Sequence, residues 1–127
     1  AIADYTKAIQ IEPNNHLTYY QRGNLYLADK KFTEAISDYN KVIKLEPEAT
    51  AAYFYRAIAK TEMKDYQGAL KDFTFVIQKD PNPGMAYYHR GLLRVQLNDK
   101  TNACLDFKKS EELKYEKAAA ARLQSCE

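Results

Sequence analysis

The sequence has few of the residues that several structural classes need. Its 127 residues include no tryptophan, four glycines, four prolines and two cysteines. So few turn-forming residues argue against a many-stranded all-β fold, which needs frequent turns. No apolar run approaches the roughly 18–20 residues of a membrane-spanning helix, so we expect no membrane insertion. Nineteen basic and 17 acidic residues leave a net charge of +2, which gives no electrostatic reason to expect a nucleic-acid partner.

The sequence does contain 11 tyrosines and an internal repeat. Pro13, Pro47 and Pro81 follow one another at 34-residue intervals, each after an acidic residue. The same interval links six further columns. They are Tyr19, Tyr53 and Tyr87; Arg22, Arg56 and Arg90; Gly23, Ala57 and Gly91; Ala35, Ala69 and Ala103; Asp4, Asp38, Asp72 and Asp106; and Tyr5, Tyr39, Phe73 and Phe107. Seven columns at one period identify a repeat protein.

Each unit has the apolar spacing of a helical pair. Residues 32–45 place their apolar side chains at i, i+3, i+4 and i+7, as an amphipathic helix does. Residues 17–27 also have helical spacing but carry apolar side chains on more than one face. A polar turn at residues 29–31 joins the two, and the proline junctions end each second helix. The sequence therefore predicts helix A, a tight turn, helix B and a proline-marked turn.

The small column at Gly23 and the alanine column at Ala35 lie where helices A and B approach most closely. Together with the proline and the helix-B aromatic, these columns resemble the tetratricopeptide repeat family. The resemblance implies an all-α fold, a right-handed α-solenoid (an α-α superhelix) of helix-turn-helix units. Two departures are tyrosine in place of the family's helix-A tryptophan and arginine in place of its helix-A leucine.

In this register the chain is one domain over residues 1–127. Residues 1–13 are helix B of an incomplete repeat, residues 16–49, 50–83 and 84–115 are three repeats, and residues 116–126 are a C-terminal capping helix. We expect the cap to bury a stripe of Ala119, Leu123 and Cys126. Because the chain begins at mid-repeat, we expect it to be a fragment of a longer array.

The arginine column allows two interpretations. Each arginine has one column aspartate earlier in the chain and another later, at nearly equal separations, so pairing within a unit or between units is open. The favoured hypothesis is a structural salt bridge, and the alternative is an arginine ladder for an acidic ligand. The residues concerned are Arg22, Arg56, Arg90, Asp38, Asp72 and Asp106.

The two cysteines are equally far from Tyr115, where the proline of the last repeat is replaced. In an antiparallel helix pair, Cys104 and Cys126 would lie at the same level and could form a disulfide. A disulfide would indicate a periplasmic or other extracytoplasmic compartment, whereas two free buried thiols would suit the cytoplasm. No Cys/His spacing suits a metal, no catalytic motif is present, and we expect no cofactor and no enzymatic activity.

The resemblance also implies that helix A of each unit lines a concave groove. Aromatic side chains there favour a peptide or helix with apolar or aromatic residues. A chaperone-type carboxylate clamp is mostly absent, since only Asn24 matches it. Self-association into an assembly and RNA binding are the alternatives, and the balanced charge counts against RNA. The candidate groove residues are Leu17, Tyr20, Gln21, Asn24, Leu27, Phe54, Tyr55, Ile58, Met85, Tyr88, His89 and Leu92.

Overall fold

The computed structural model describes residues 1–126, which form α-helices joined by short turns and contain no strand. The eight helices of this part of the chain are α1 (Ile2–Ile11), α2 (His16–Ala28), α3 (Phe32–Leu45), α4 (Thr50–Glu62), α5 (Tyr66–Lys79), α6 (Gly84–Gln96), α7 (Lys100–Glu112) and α8 (Ala118–Ser125).

The chain forms two compact units. The first unit is Ala1–Asp65 and contains α1 to α4, and the second begins at Tyr66 and contains α5 to α8. In the repeat register, α2 and α4 are A helices of the first unit, and α6 is the A helix of the second.

The tight turns between paired helices share one backbone conformation. Lys30, Lys64 and Asn98 have φ values of 60°, 66° and 61°, in the left-handed region. In each turn the following amide returns to the end of helix A, as in the 2.8 Å bond from Lys31 N to Tyr26 O. Lys114, with φ of 65°, forms the same kind of turn between α7 and α8. The substitution of the last repeat's proline by Tyr115 therefore coincides with a tight turn.

The core of the first unit forms around Tyr39 of α3, which is fully buried. A Cβ added at Gly23 would lie 3.0 Å from Cε1 of Tyr39. Glycine in a helix costs about 1 kcal/mol relative to alanine, and here it allows α2 to approach this ring. The buried members of this core are Tyr19, Ala35, Tyr39, Val42 and Ala52.

The second unit repeats this arrangement more tightly. Phe107 of α7 is fully buried, and a Cβ added at Gly91 would lie only 2.6 Å from its Cε1. Ser110, where other repeats carry valine, is also buried, and its hydroxyl donates a 2.7 Å hydrogen bond to Gly84 O. The serine thus fixes the start of α6 instead of filling an apolar site.

The capping helix α8 packs by a different face from the one predicted. Of the predicted stripe of Ala119, Leu123 and Cys126, Cys126 packs against the core but Leu123 is 53% exposed, and the buried residues of the helix are Ala118 and Ala121. Ala121 joins the core of Ala103 and Phe107. Helix α8 begins at Ala118 and not at the predicted residue 116.

Candidate functional site

Three tyrosine rings of the first unit contact one another, two from the A helices and one, Tyr39, from the buried core. Tyr20 of α2 has its ring centroid 6.3 Å from Tyr39 of α3 and 6.3 Å from Tyr55 of α4. Tyr39 and Tyr55 are stacked at 6.4 Å with an interplanar angle of 26°. These separations lie within the range of favourable aromatic pairs, so the rings fix one another's positions. Tyr20 and Tyr55 are half-buried, and each presents part of its ring at the surface.

A hydrogen bond links this cluster to Asn24. The Tyr39 hydroxyl donates to Asn24 Oδ1 at 2.6 Å, which leaves the Asn24 amide NH2 as the donor. Burial raises the pKa of Tyr39 above its ordinary value, so the hydroxyl stays protonated and able to donate. Burial likewise raises the pKa of Tyr20, an effect that a hydrogen bond with Asn24 partly opposes.

The other first-unit candidates differ in how much they face outward. Leu17 is 58% exposed, and Gln21 is also exposed. Phe54 is half-buried and meets Tyr55 edge-on at 5.2 Å. Leu27 packs against the core of the first unit, so it contributes to stability and is not counted in the face. We call the set Leu17, Tyr20, Gln21, Asn24, Phe54, Tyr55 and Ile58 the α2–α4 face.

The second unit holds a ring cluster of its own around Tyr88. This ring lies 5.1 Å from Tyr115, 6.1 Å from Phe107 and 5.3 Å from His89, the last edge-on. His89 is stacked almost parallel on Phe73, at 6.1 Å and 12°. Tyr88 and His89 are therefore partly packing residues.

His89 is an uncharged member of this site at neutral pH. Burial lowers its pKa to about 4, and the positive charge of Lys117 acts in the same direction. A neutral imidazole adds no cation to the face. The only other histidine in the sequence, His16, lies near Glu46 at 3.9 Å in the first unit.

An apolar stripe is exposed along α6. Met85, Leu92 and Val95 are 46%, 39% and 40% exposed, and their spacing of i, i+7 and i+10 puts them on one side of the helix. Such a stripe is atypical of a helix side that faces only water. We call Met85, Tyr88, Leu92 and Val95 the α6 face.

Behind these faces, Arg22 and Arg90 of the arginine column each form an ion pair with a buried aspartate of the same repeat. Arg22 donates to both carboxylate oxygens of Asp38, at 2.8 and 2.7 Å, and its third contact is to Thr6 Oγ1 at 3.1 Å. The hydrogen bond with Asp38 raises the pKa of Arg22 further. The acidic partner thus lies later in the chain than the arginine, in helix B of the same repeat.

Arg90 repeats this arrangement in the second unit. It donates to Asp106 at 2.9 and 2.8 Å and to Thr74 Oγ1 at 3.2 Å. Arg94 adds a further bond to Asp106 Oδ2 at 2.8 Å. No repeat column pointed to Arg94, because its equivalents in the two preceding repeats are Tyr26 and Lys60.

Arg56 donates to Asn40 Oδ1 at 2.8 Å. Its pairing with Asp72, which belongs to the other unit, stays a prediction. Thr6, Asn40 and Thr74 are themselves related by the repeat interval, and they form a polar column that sequence reasoning missed. These positions follow the 34-residue interval, but threonine and asparagine are different residue types. They have in common only a side-chain oxygen that can accept a hydrogen bond, so the sequence did not reveal the column.

The tyrosines that replace the family's tryptophan each lie under an arginine. The guanidinium carbons of Arg22, Arg56 and Arg90 lie 6.0, 5.1 and 5.4 Å from the ring centroids of Tyr19, Tyr53 and Tyr87. Cation–π contacts of this kind prefer Trp but also use Tyr. Tyr19 additionally donates from its hydroxyl to Pro13 O at 2.9 Å, which ties α2 to the preceding turn.

Cys104 and Cys126 form a disulfide, with Cα atoms 5.7 Å apart. It joins α7 to the C-terminal end of α8, and Arg122 pairs with Glu111 along the same two helices at 2.7 Å. Among residues 1–126, no group of three or more His, Cys, Asp or Glu side chains could hold a metal ion. No helix in this part of the chain is long and apolar enough to cross a membrane.

Three family models describing the tetratricopeptide repeat match the sequence, over residues 16–48, 51–83 and 86–120. The chain belongs to the tetratricopeptide repeat (TPR) family. The first two matches lie within residues 16–49 and 50–83, and the third overlaps residues 84–115 and extends to residue 120. A comparison with curated proteins gave no match.

Solved structures of TPR proteins resemble the chain over most of its length. The crystal structure of MamA matches with a TM-score of 0.85 at 24% identity, covering 89% of this chain and 66% of that one. YrrB, described as a TPR protein with an unusual peptide-binding site, matches with a TM-score of 0.78 at 23% identity, covering 89% and 58%. The first TPR of Spaghetti (RPAP3), bound to the HSP90 peptide SRMEEVD, matches with a TM-score of 0.80 at 25% identity, covering 86% and 88%.

The predicted fold class, an all-α α-solenoid of TPR units, is confirmed. The chain spans less than two thirds of the length of the MamA and YrrB chains.

Proposed function

We propose that this TPR chain is a protein–protein interaction scaffold whose helix-A faces bind a peptide or helix with apolar or aromatic side chains. The observation that carries the proposal is the exposed stripe of Met85, Leu92 and Val95 on α6. Burying such side chains against a partner releases about 25 cal/mol per Å² of apolar surface. We assign binding, and no reaction, to the chain.

The α2–α4 face supports the same class of ligand. Tyr20 and Tyr55 are held by ring contacts, so little side-chain entropy is lost when a partner covers them. Leu17 adds an exposed apolar side chain at the start of α2. Gln21 and the Asn24 amide supply polar groups that would pair with a ligand's backbone.

The chemistry of both faces disfavours a strongly acidic ligand. None of the candidate groove positions holds lysine or arginine, and His89 is neutral above its pKa of about 4. The RPAP3 domain is described as bound to SRMEEVD, a peptide with three acidic residues. We do not propose that kind of ligand for these two faces.

A library of random dodecapeptides, selected on the full chain, tests the ligand class. We expect selected sequences to be enriched in Leu, Phe, Tyr and Met. The affinity of a selected peptide is then measured for Leu92→Ser/Val95→Ser and for Leu105→Ser. Leu105 is 59% exposed on α7 and outside both faces, so it controls for the loss of exposed apolar surface. A loss confined to the α6 variant supports the proposal, and equal losses contradict it.

Self-association is the second candidate, and α1 is the observation in its favour. Ile11 is 76% exposed, and Ile2 and Tyr5 on the same helix are only half-buried. A second copy that covers this helix would bury apolar surface of the first unit. Sedimentation velocity over a hundredfold concentration range tests it. A dimer that forms as the concentration rises, and that Ile11→Glu abolishes, supports this candidate. A chain that stays monomeric at every concentration refutes it.

A further inference from the structure

A shallow depression lies on the first unit, between α2 and α3 and apart from the α2–α4 face. It has a volume of about 320 Å³, and none of its lining residues is a groove candidate. The lining residues are Tyr19, Arg22, Ser37, Asp38, Asn40, Lys41 and Lys44.

The depression carries a net positive charge. Its one acidic residue, Asp38, is buried and accepts two hydrogen bonds from Arg22, so the charges of this pair offset each other. Lys41 and Lys44 remain as two cations. The Lys41 ammonium lies 5.9 Å from the ring centroid of Tyr19, a contact that keeps it at the wall of the depression.

The neutral groups around these lysines are hydrogen-bond donors. Asn40 accepts from Arg56 through Oδ1 at 2.8 Å, which leaves its amide NH2 to donate. The exposed Ser37 hydroxyl lies one turn before Lys41, and Lys44 lies one turn after it. Residues at i, i+4 and i+7 share one side of a helix, so these donors converge.

The equivalent positions on α7, in the last repeat, have different chemistry. There Leu105 and Glu112 replace Ser37 and Lys44, while Lys109, the equivalent of Lys41, pairs with Glu112 at 3.9 Å. The last repeat thus carries an apolar side chain and a carboxylate where the first carries donors. This contrast provides a matched control.

We propose that the depression between α2 and α3 binds an acidic peptide segment, with adjacent carboxylates of the segment contacting Lys41 and Lys44. Ser37 and the Asn40 amide donate to the same carboxylates or to the segment's backbone carbonyls. This site accepts the class of ligand that the helix-A faces disfavour. The two sites share no residue.

The probe is a fluorescein-labelled peptide of six glutamates, compared with its six-glutamine counterpart, titrated with the full chain in low salt. We expect anisotropy to show binding of the glutamate peptide alone. Lys41→Glu/Lys44→Glu removes two attractions and adds two repulsions, and should weaken binding by about tenfold. Lys108→Glu/Lys109→Glu on α7 changes net charge equally, away from the depression, and should change affinity less than about twofold.

Equal losses in the two charge-reversal variants would overturn the proposal, because they would show diffuse attraction without a site. Equal binding of the glutamate and glutamine peptides would overturn it as well. So would displacement of the glutamate peptide by inorganic phosphate at low concentration, which would indicate a phosphate site. Leu92→Ser/Val95→Ser should bind the glutamate peptide normally, so failure of the helix-A proposal and failure of this one are distinguishable.

Discussion

Arg22 of α2 and Asp38 of α3 are joined by two short hydrogen bonds, Nε to Oδ2 at 2.8 Å and Nη2 to Oδ1 at 2.7 Å. A bidentate pair of this kind fixes both the distance and the rotation between the two helices of a repeat. Arg90 and Asp106 hold α6 and α7 in the same way. The pairs lie behind the helix-A faces, so they fix the positions of the helices that carry those faces.

Removing Arg22 should therefore destabilise the fold without weakening an apolar ligand of the helix-A faces. Arg22→Met leaves the buried Asp38 carboxylate uncompensated, and we expect a loss of about 3–5 kcal/mol in the free energy of unfolding. Urea denaturation measures it. The control is Arg122→Met, whose pairing with Glu111 is more exposed and should contribute much less to stability. Full stability in Arg22→Met, with weaker ligand binding, would support the ligand-ladder interpretation instead.

Gly91→Ala should be destabilising even though alanine is the better helix former. The added Cβ would lie 2.6 Å from Cε1 of Phe107, so α6 and α7 must move apart, at a cost of about 1–3 kcal/mol. Gly23→Ala, with its nearest contact at 3.0 Å, should cost less. Thermal unfolding ranks the two variants. Gly91→Ala/Phe107→Leu should recover part of the loss, and an unchanged melting temperature in Gly91→Ala would contradict the close packing.

His89 should make stability depend on pH between about 4 and 6.5. Its pKa is lowered to about 4 in the folded chain, whereas an unfolded histidine has a pKa of about 6.5. Between these values the unfolded state binds the proton and the folded state does not, so stability falls as the pH falls. The full effect, complete near pH 4, is on the order of 3 kcal/mol.

His89→Phe supplies the control, because a ring can still stack on Phe73 but cannot titrate. Carboxylates also titrate at low pH, so the informative quantity is the difference between wild type and variant. Urea unfolding at pH 7.5 and at pH 4.5 should show a smaller loss in His89→Phe. Parallel losses in the two proteins would mean that His89 is protonated in the folded state.

Removing the Cys104–Cys126 disulfide should destabilise α8 more than the other helices. The bond closes a loop with a sequence separation of 22, for which chain entropy predicts about 3 kcal/mol. Helix α8 is short and buries only Ala118 and Ala121, so it has little other anchorage. Cys104→Ser/Cys126→Ser should show faster amide exchange throughout α8, with α2 and α3 unchanged. Unchanged protection of α8 would contradict this role.

The fold was predictable because several repeat columns, such as Gly23, Ala57 and Gly91, are buried contacts that recur along the chain. Gly23 and Tyr39 face each other across α2 and α3, so both positions are restricted wherever the pair of helices is repeated. The face of α8 was not predictable in this way, since no second copy of that helix exists to set its register. Helical spacing alone then favoured the stripe containing Leu123, which is exposed.

The site was only partly predictable for a related reason. Carrying family positions onto the sequence named Tyr20 and Asn24, but not the hydrogen bond from Tyr39 that orients Asn24. Helix periodicity places residues on a face, and it does not show which polar atoms meet across two helices. The depression at Lys41 was missed because it depends on Asp38 being neutralised by Arg22.

The most direct test of the central claim is NMR chemical-shift mapping with a library-selected apolar peptide bound to the full chain. The scaffold account predicts perturbed amides on α6 around Met85, Leu92 and Val95, and on α2 and α4 around Tyr20 and Tyr55, with α7 around Leu105 unaffected. Perturbations confined to Leu105, Leu123 or Ile11 would contradict it, since exposed apolar side chains outside the two faces would then be the binding surface.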